Sequence, residues 1–160
     1  MNKEQGQESR RQSGIDVETR REMRRESRAN QTYKNFLKYL MDMGDFSNEE
    51  QAEKAAVAVL CCLERRITRD EAEDLEAQLP MKLRELVQRC EAHEEAKPRR
   101  IGPEEFVTMV AEHIGADASQ TVPIIREVAS AVRAQISEGE WEDVMRQLPK
   151  SYEPRFAMPV

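Results

Sequence analysis

Residues 71–80 read EAEDLEAQLP, and residues 140–149, which lie 69 positions later, read EWEDVMRQLP. Six of the ten positions are identical, and a seventh exchanges Leu75 for Val144. Self-similarity at a fixed distance is typical of a chain that contains one supersecondary unit twice. The flanking residues therefore decide the fold, because they indicate what that unit is.

The composition favours helices on both sides of this motif. Aromatic residues make up 5% of the chain, and it contains only six glycines and seven prolines. Such a balance favours helix over strand. A net charge of −6 argues against a surface that binds nucleic acid or anionic membrane as a whole. No apolar run approaches the roughly 18 residues that a membrane span needs, so we expect a cytoplasmic protein without a span.

Helical periodicity divides the first copy into four helices. A first helix begins near Thr32 and ends before Gly44. Capping boxes at residues 47–50 and 68–71 open the second and third helices, with the Ser47 oxygen accepting from the Glu50 amide. The third helix ends before Pro80, which can start a fourth. The apolar faces consist of Phe36, Leu37, Leu40 and Met41, then Ala52, Ala56, Val59, Leu60, Leu63 and Ile67, then Ala72, Leu75 and Leu79, and finally Leu83, Leu86, Val87 and Cys90.

The second copy repeats this pattern. A capping box at residues 137–140 precedes the second motif, as residues 68–71 precede the first. Two apolar faces recur at offsets of 70 and 69 residues, and they consist of Phe106, Val107 and Val110, and of Ile125, Val128, Ala129, Val132 and Ile136. Each unit of about 55 residues leaves little margin for folding alone. We therefore predict an all-α fold in which two tandem four-helix units pack as one bundle about a pseudo-twofold axis. The alternative is that each half pairs with another subunit.

Four segments follow from this organisation. They are a disordered Arg-rich tail over residues 1–31, a helical repeat over 32–90, a linker over 91–102 and a second helical repeat over 103–157. The tail has few apolar residues to offset the entropy of ordering. Its net charge is +2, which leaves −8 on residues 32–160. The tail and the body are therefore oppositely charged.

The repeated E-x-E-D-L/V-x-x-Q-L-P motif, with an Ala- and Val-rich helix and a Phe-initiated helix before it, resembles a bacterial family catalogued as domain of unknown function 2267. The resemblance covers roughly residues 33–157 and includes both copies of the motif. It implies an all-helical, two-repeat bacterial protein with no assigned reaction. The Arg-rich tail lies outside the shared region.

The motif residues themselves are interpreted as structural. Carboxylates in the first turn of a helix are stabilised by its free amides and its dipole, which explains them without a metal or a substrate. The glutamine before each Leu-Pro could satisfy carbonyls left free where the helix ends, although a ligand contact stays open. The residues so interpreted are Glu71, Asp74, Gln78, Pro80, Glu140, Asp143, Gln147 and Pro149.

The histidines and cysteines suggest no site of their own. His93 lies in the linker, and His113 fits a capping or surface position near a helix end. Three cysteines, two of them adjacent at Cys61 and Cys62, form neither an even framework nor a metal-ligand spacing, and Cys90 fits the core. We therefore predict no structural disulfide, no catalytic residue, no cofactor and no metal, while a redox role of a cysteine near Arg65 and Arg66 stays open.

The tail is the best functional lead. If residues 16–28 became helical, their arginines would make a basic stripe, formed by Arg20, Arg21, Arg24, Arg25 and Arg28. We predict a non-enzymatic protein-interaction or scaffold module that engages a protein partner or a second copy through this tail or through a groove between the repeats. The alternatives are a regulatory or stress protein that binds a small ligand or nucleic acid, and an enzyme with a site where the units meet. The sequence leaves the oligomeric state open.

Overall fold

The computed structural model describes the backbone of residues 2–90 and 101–156, and the side chains of residues 16–90 and 101–156. All regular structure in these ranges is helical, which confirms the predicted all-α class. None of the helices in these ranges combines the length and the apolarity of a membrane span. The elements are α1 Asn2–Met43, α2 Glu49–Glu64, α3 Arg69–Gln78, α4 Met81–Gln88, α5 Pro103–Ile114, α6 Ala118–Gln135, α7 Glu138–Gln147, a 3-10 turn Lys150–Tyr152, and α8 Glu153–Phe156.

Helix α2 lies at the centre of the fold. It packs against α1, α4, α5 and α6, and its buried positions cover most of its circumference from Ala52 to Leu63. A helix that is apolar on all sides must be enclosed by others. Four of its buried residues are alanines, which let neighbouring helices approach closely. Side chains from both halves of the chain thereby form one continuous core.

An aromatic cluster fills the core near the end of the chain. Phe106 of α5 packs edge-on against Tyr152, with ring centroids 5.7 Å apart, and at the same distance against Phe156 of α8. Trp141 of α7 meets Phe156 edge-on at 6.2 Å. Edge-to-face pairs of this kind stabilise by about 0.5–1.5 kcal/mol beyond their burial. The cluster therefore fixes α5, α7 and α8 against one another.

The helix starts agree with the predicted capping boxes at two of three places. Thr68 and Ser137 accept from the amides three residues later, at 3.3 and 3.2 Å. The predicted Ser47 cap is wrong by one residue. Asn48 accepts from the Gln51 amide at 2.9 Å, and the Gln51 side-chain oxygen accepts from the Ser47 amide at 3.1 Å. Asparagine is at least as good a cap as serine, so two adjacent candidates left the exact start undecided.

The N-terminal segment differs from the predicted disordered tail, because α1 is helical from Asn2 onwards. The part of α1 that packs on the bundle lies between Tyr33 and Leu40, and residues 16–28 are all exposed. Once a packed segment has formed the first turns, each added residue needs only propagation, and Arg and Glu propagate helices well. The exposure of residues 16–28 agrees with the scarcity of apolar residues in the sequence. The predicted linker lies mostly outside the described residues, as do His93 and residues 157–160.

Candidate functional site

The two copies of the motif lie against each other, since α3 packs on α7. The contact is reciprocal. The Gln147 side-chain oxygen accepts from the Thr68 amide at 2.7 Å, and the Gln78 side-chain oxygen accepts from the Ser137 amide at 2.7 Å. Each glutamine ends its own helix and binds the residue that caps the other. The two helices are therefore joined at both ends.

This geometry gives the glutamines a different role from the predicted one. They accept from amides of the opposite copy, whereas the sequence suggested that they donate to carbonyls of their own helix. In a capping box the N-cap amide is bound by a carboxylate of the same helix. Here the side-chain oxygens of Gln147 and Gln78 accept from the N-cap amides instead. The carboxyl groups of Glu71 and Glu140 are therefore available for another contact. The sequence could not reveal this exchange, because the partners are 79 and 59 residues apart.

Those two carboxyl groups face each other between α3 and α7. Glu140 is only 8% exposed, and neither its buried Oε1 nor that of Glu71 has a donor. Burial, followed by the neighbouring Glu71 carboxyl and by Asp74 and Asp143, raises the pKa of Glu140 to about 7. Two neighbouring carboxylates repel each other, and this repulsion favours the protonated form of the buried one. Near neutral pH the Glu140 carboxyl therefore changes between its protonated and its ionised form.

This carboxyl pair is a chemically distinct feature of the motif. The carboxylate oxygens of Glu71, Glu140 and Asp143 lie within 4.8 Å of one another, so they could also hold a hard divalent cation in place of the proton. Gln147 is the nearest described donor, with its Nε2 3.4 Å from a Glu71 oxygen. Asp74 and Asp143 are exposed, as helix-initiating acids would be. Helix initiation therefore explains Asp74 and Asp143, but it does not explain why the Glu71 and Glu140 carboxyl groups face each other.

The prolines end α3 and α7 as predicted. Pro80 is the N-cap of α4, and Pro149 is the N-cap of the 3-10 turn that follows α7. Arg84 of α4 then donates to the carbonyls of Glu76 and Ala77 at 2.8 and 3.1 Å. An arginine thus satisfies the carbonyls at the end of α3, which is the function that the sequence had suggested for the glutamine.

A second carboxyl pair lies where α2, α3 and α4 meet, and the sequence gave no sign of it. The buried Oε1 of Glu64 has no donor. Burial and the neighbouring Glu76 carboxyl raise the pKa of Glu64 to about 9. Gln88 donates to the Glu76 Oε2 at 3.0 Å. Glu64 is therefore protonated at neutral pH and can donate to Glu76.

A third group joins residues that are distant in sequence, Cys61, Cys90 and His113. The Cys61 Sγ lies 3.2 Å from the Cys90 Sγ, which is 3.1 Å from the Nε2 of His113. All three cysteines of the chain are free thiols. The interpretation of His113 as a capping or surface residue is corrected, because its ring contacts a thiol. Spacing alone could not find this group, since its members come from three helical segments.

The arginines of the predicted stripe lie on the exposed part of α1. All five are exposed, and within the described side chains the ion pair that involves them joins Arg20 to Asp16 at 3.8 Å. Val17 and Met23 are large apolar residues on the same segment, 47% and 62% exposed. The five arginines therefore lie on one exposed stretch of α1, whereas the two copies of the motif lie in α3 and α7.

Replacing Gln147 with alanine is expected to lower the free energy of unfolding by about 0.5–1.5 kcal/mol, because the Thr68 amide loses the acceptor that joins α3 to α7. The same loss is expected for Gln78→Ala at the Ser137 amide. Urea denaturation of both single variants and of the double variant would measure these losses. Gln88→Ala removes a glutamine that binds an exposed side-chain oxygen and serves as the control, with an expected loss below about 0.5 kcal/mol. Equal losses in all three single variants would contradict the bridging role.

The described geometry is thus a helical bundle whose repeated motif joins its two halves and buries a carboxyl pair. Comparison with curated proteins gives no match. The model of the family described as "Uncharacterized conserved protein (DUF2267)" matches residues 33–154, which include every helix from α2 to α7, the packed end of α1 and both copies of the motif. The chain belongs to the DUF2267 family.

Proposed function

We propose that the protein is a non-enzymatic cytoplasmic interaction module that binds an acidic partner protein through the basic face of α1. The observation that carries the proposal is the exposure of residues 16–28 as a helix that leaves the bundle. A helix with no packed face gains little from the rest of its own chain. A partner that covers it would supply the missing contacts.

The charges on this part of α1 are sorted by side. At about 100° per residue, the five arginines fall within an arc of about 140°, and Glu18, Glu22 and Glu26 fall within a separate arc of about 80°. The acidic arc continues the side on which Tyr33 and Leu40 pack against the bundle. The arginines, with Val17 among them, lie on the side turned away from it. This arrangement offers a basic surface with a small apolar centre to an approaching partner.

An acidic protein fits this surface better than nucleic acid does. Residues 32–160 carry a net charge of −8, which would repel a long polyanion that extends beyond the helix. A protein helix or strand with a short acidic stripe meets only the arginines. Bidentate arginine–carboxylate pairs would then give both affinity and orientation.

The same proposal treats the bundle as two pseudo-twofold-related units that form a rigid support. The reciprocal glutamine bridges favour this symmetry, because the glutamine of each copy accepts from the N-cap amide of the other copy. A second pair of positions agrees. The sequence offset of about 70 aligns Cys61 with Ser130 and His113 with Met43, and Ser130 lies 3.8 Å from the Met43 sulfur. In this proposal the bundle holds the packed end of α1, and the exposed part of α1 is the surface for recognition.

The test is a comparison of two charge variants as baits in a lysate of the source cell. One carries glutamine at all five arginines, and the matched control carries Glu18→Gln, Glu22→Gln and Glu26→Gln on the opposite arc. We expect an acidic protein to be retained by the wild type and by the control but not by the arginine variant. With the purified partner, the arginine variant should bind at least about tenfold more weakly, and wild-type affinity should fall as salt rises.

Two outcomes would contradict the proposal. Identical binding by the wild type and the arginine variant would show that the stripe is not the contact surface. Loss of binding after nuclease treatment, with direct binding of duplex DNA or RNA, would establish the nucleic-acid alternative instead. Circular dichroism of both variants should match that of the wild type, because none of the substituted side chains is buried.

A further inference from the structure

The cluster of Cys61, Cys90 and His113 is unusual for a helical core because it brings three soft metal-ligand atoms together. Its Sγ and Nε2 atoms all lie within 4.8 Å of one another. Cys61 is buried at 1% exposure, whereas Cys90 and His113 are half-buried. One side of the cluster is therefore enclosed by protein, and the other is open to solvent.

The three residues are held by rigid elements. Cys61 lies on α2, His113 lies in the last turn of α5, and Cys90 lies two residues after the end of α4, where its amide donates to the Val87 carbonyl at 3.2 Å. Helix α2 packs against both α4 and α5, so the central helix fixes the other two. Two of the three ligands therefore lie on packed helices and are preorganised, so they lose little entropy on binding.

Packing volume alone does not account for these residue types. At the aligned position in the other half of the chain, Ser130 and Met43 make the corresponding contact, and a hydroxyl with a thioether is a poor ligand pair for a transition metal. The two halves thus use the same positions differently. In one half the aligned residues are Ser130 and Met43. In the other half they are Cys61 and His113, and Cys90 lies beside them.

We propose that Cys61, Cys90 and His113 bind one Zn²⁺ ion, with a fourth position open to solvent. A Cys₂His set with an open position is one of the arrangements that zinc adopts in proteins. Zinc–sulfur bonds of about 2.3 Å in a tetrahedron separate two sulfurs by about 3.8 Å. The sulfurs, now 3.2 Å apart, would need to separate by only about half an ångström.

The charges in this set also balance. Both thiols lose their protons on binding, so two thiolates and a neutral imidazole offset the two positive charges of the ion. Burial and the neighbouring Cys90 thiol raise the pKa of Cys61, and the nearby Arg65 opposes this shift.

The test uses Co²⁺ as a spectroscopic substitute for Zn²⁺ on the full chain, reduced and kept without oxygen. We expect one Co²⁺ per chain, with a thiolate-to-cobalt charge-transfer band in the near ultraviolet and the strong visible bands of tetrahedral cobalt. Added Zn²⁺ should displace the cobalt and abolish both sets of bands. At about 100 times its dissociation constant, Zn²⁺ should raise the Tm by at least about 5 °C.

The variants separate this site from adventitious binding. Cys90→Ser and His113→Met should each weaken Zn²⁺ binding at least tenfold, and Cys61→Ser should do the same. The matched control is Cys62→Ala, which removes the adjacent buried thiol and should bind zinc as the wild type does. Because Cys61→Ser could disturb the core, the half-buried Cys90 and His113 variants test the site independently.

Three results would overturn the proposal. They are the absence of the charge-transfer band in the reduced wild type, equal metal binding by the wild type and His113→Met, and a Cys62→Ala variant that loses zinc as fully as Cys90→Ser. The last result would mean that the metal selects the Cys61–Cys62 pair or any accessible thiol rather than the cluster that includes His113.

Discussion

Replacing Phe106 with alanine is expected to lower the free energy of unfolding by about 3–5 kcal/mol. Phe106 is fully buried, and its ring contacts both Tyr152 and Phe156 at centroid distances of 5.7 Å. The substitution removes the transfer energy of the ring, leaves a cavity and breaks two aromatic contacts. A domain of this size has only about 5–15 kcal/mol of stability, so the loss is a large part of it.

Urea denaturation, followed by the helical signal in far-ultraviolet circular dichroism, would measure this effect. Met81→Ala is the matched control, because Met81 is a large apolar residue that is 54% exposed. Its expected change is within about 0.5 kcal/mol. A loss below about 1 kcal/mol for Phe106→Ala would mean that the aromatic cluster does not hold α5 against α8.

Replacing Glu64 with glutamine is expected to raise the free energy of unfolding by about 4–5 kcal/mol at pH 8, and by about 1 kcal/mol at pH 5. Burial and the Glu76 carboxyl raise the pKa of Glu64 from 4.5 to about 9. Above pH 4.5 the unfolded chain releases this proton while the folded protein keeps it. The stability that this group contributes is therefore fully present below pH 4.5 and is lost progressively as pH rises to about 9.

Glutamine keeps the hydrogen-bond donor toward Glu76 and has no proton to lose, so the variant should lack this part of the pH dependence. Thermal or urea unfolding at pH 5, 6.5 and 8 would measure the difference between variant and wild type. Glu85→Gln on the exposed side of α4 is the control, because it makes the same side-chain replacement at a solvent-exposed position, with an expected change within about 0.5 kcal/mol. A difference that is equal at pH 5 and pH 8 would show that Glu64 is ionised in the folded protein.

Much of the local structure could be predicted from the sequence, because its causes are local. Thr68 and Ser137 cap their helices as predicted, since a cap needs only an oxygen and an amide three residues later. Pro80 ends α3 for the same kind of reason. The Asn48 cap was missed because two adjacent residues were both suitable. The helix over residues 16–31 was missed because composition predicts the lack of a core but does not exclude a helix that extends from a packed one.

The carboxyl pair between α3 and α7 and the cluster of two cysteines and a histidine could not be predicted, because each joins residues that are far apart in the chain. Glu71 and Glu140 fit the role of helix-initiating acids, and only the packing of α3 on α7 brings them together and raises the pKa of Glu140. Cys61, Cys90 and His113 have no metal-ligand spacing, and they meet only because α2 packs on both α4 and α5.

The sequence by itself determined the helical class, the duplicated motif and most helix boundaries, since these depend on propensity, periodicity and capping over a few residues. Only the tertiary structure decided which carboxyl groups are buried, which glutamine binds which amide and which thiols contact a histidine. The physical reason is that desolvation and contact depend on the neighbours that packing supplies, and those neighbours come from helices as much as 79 residues apart.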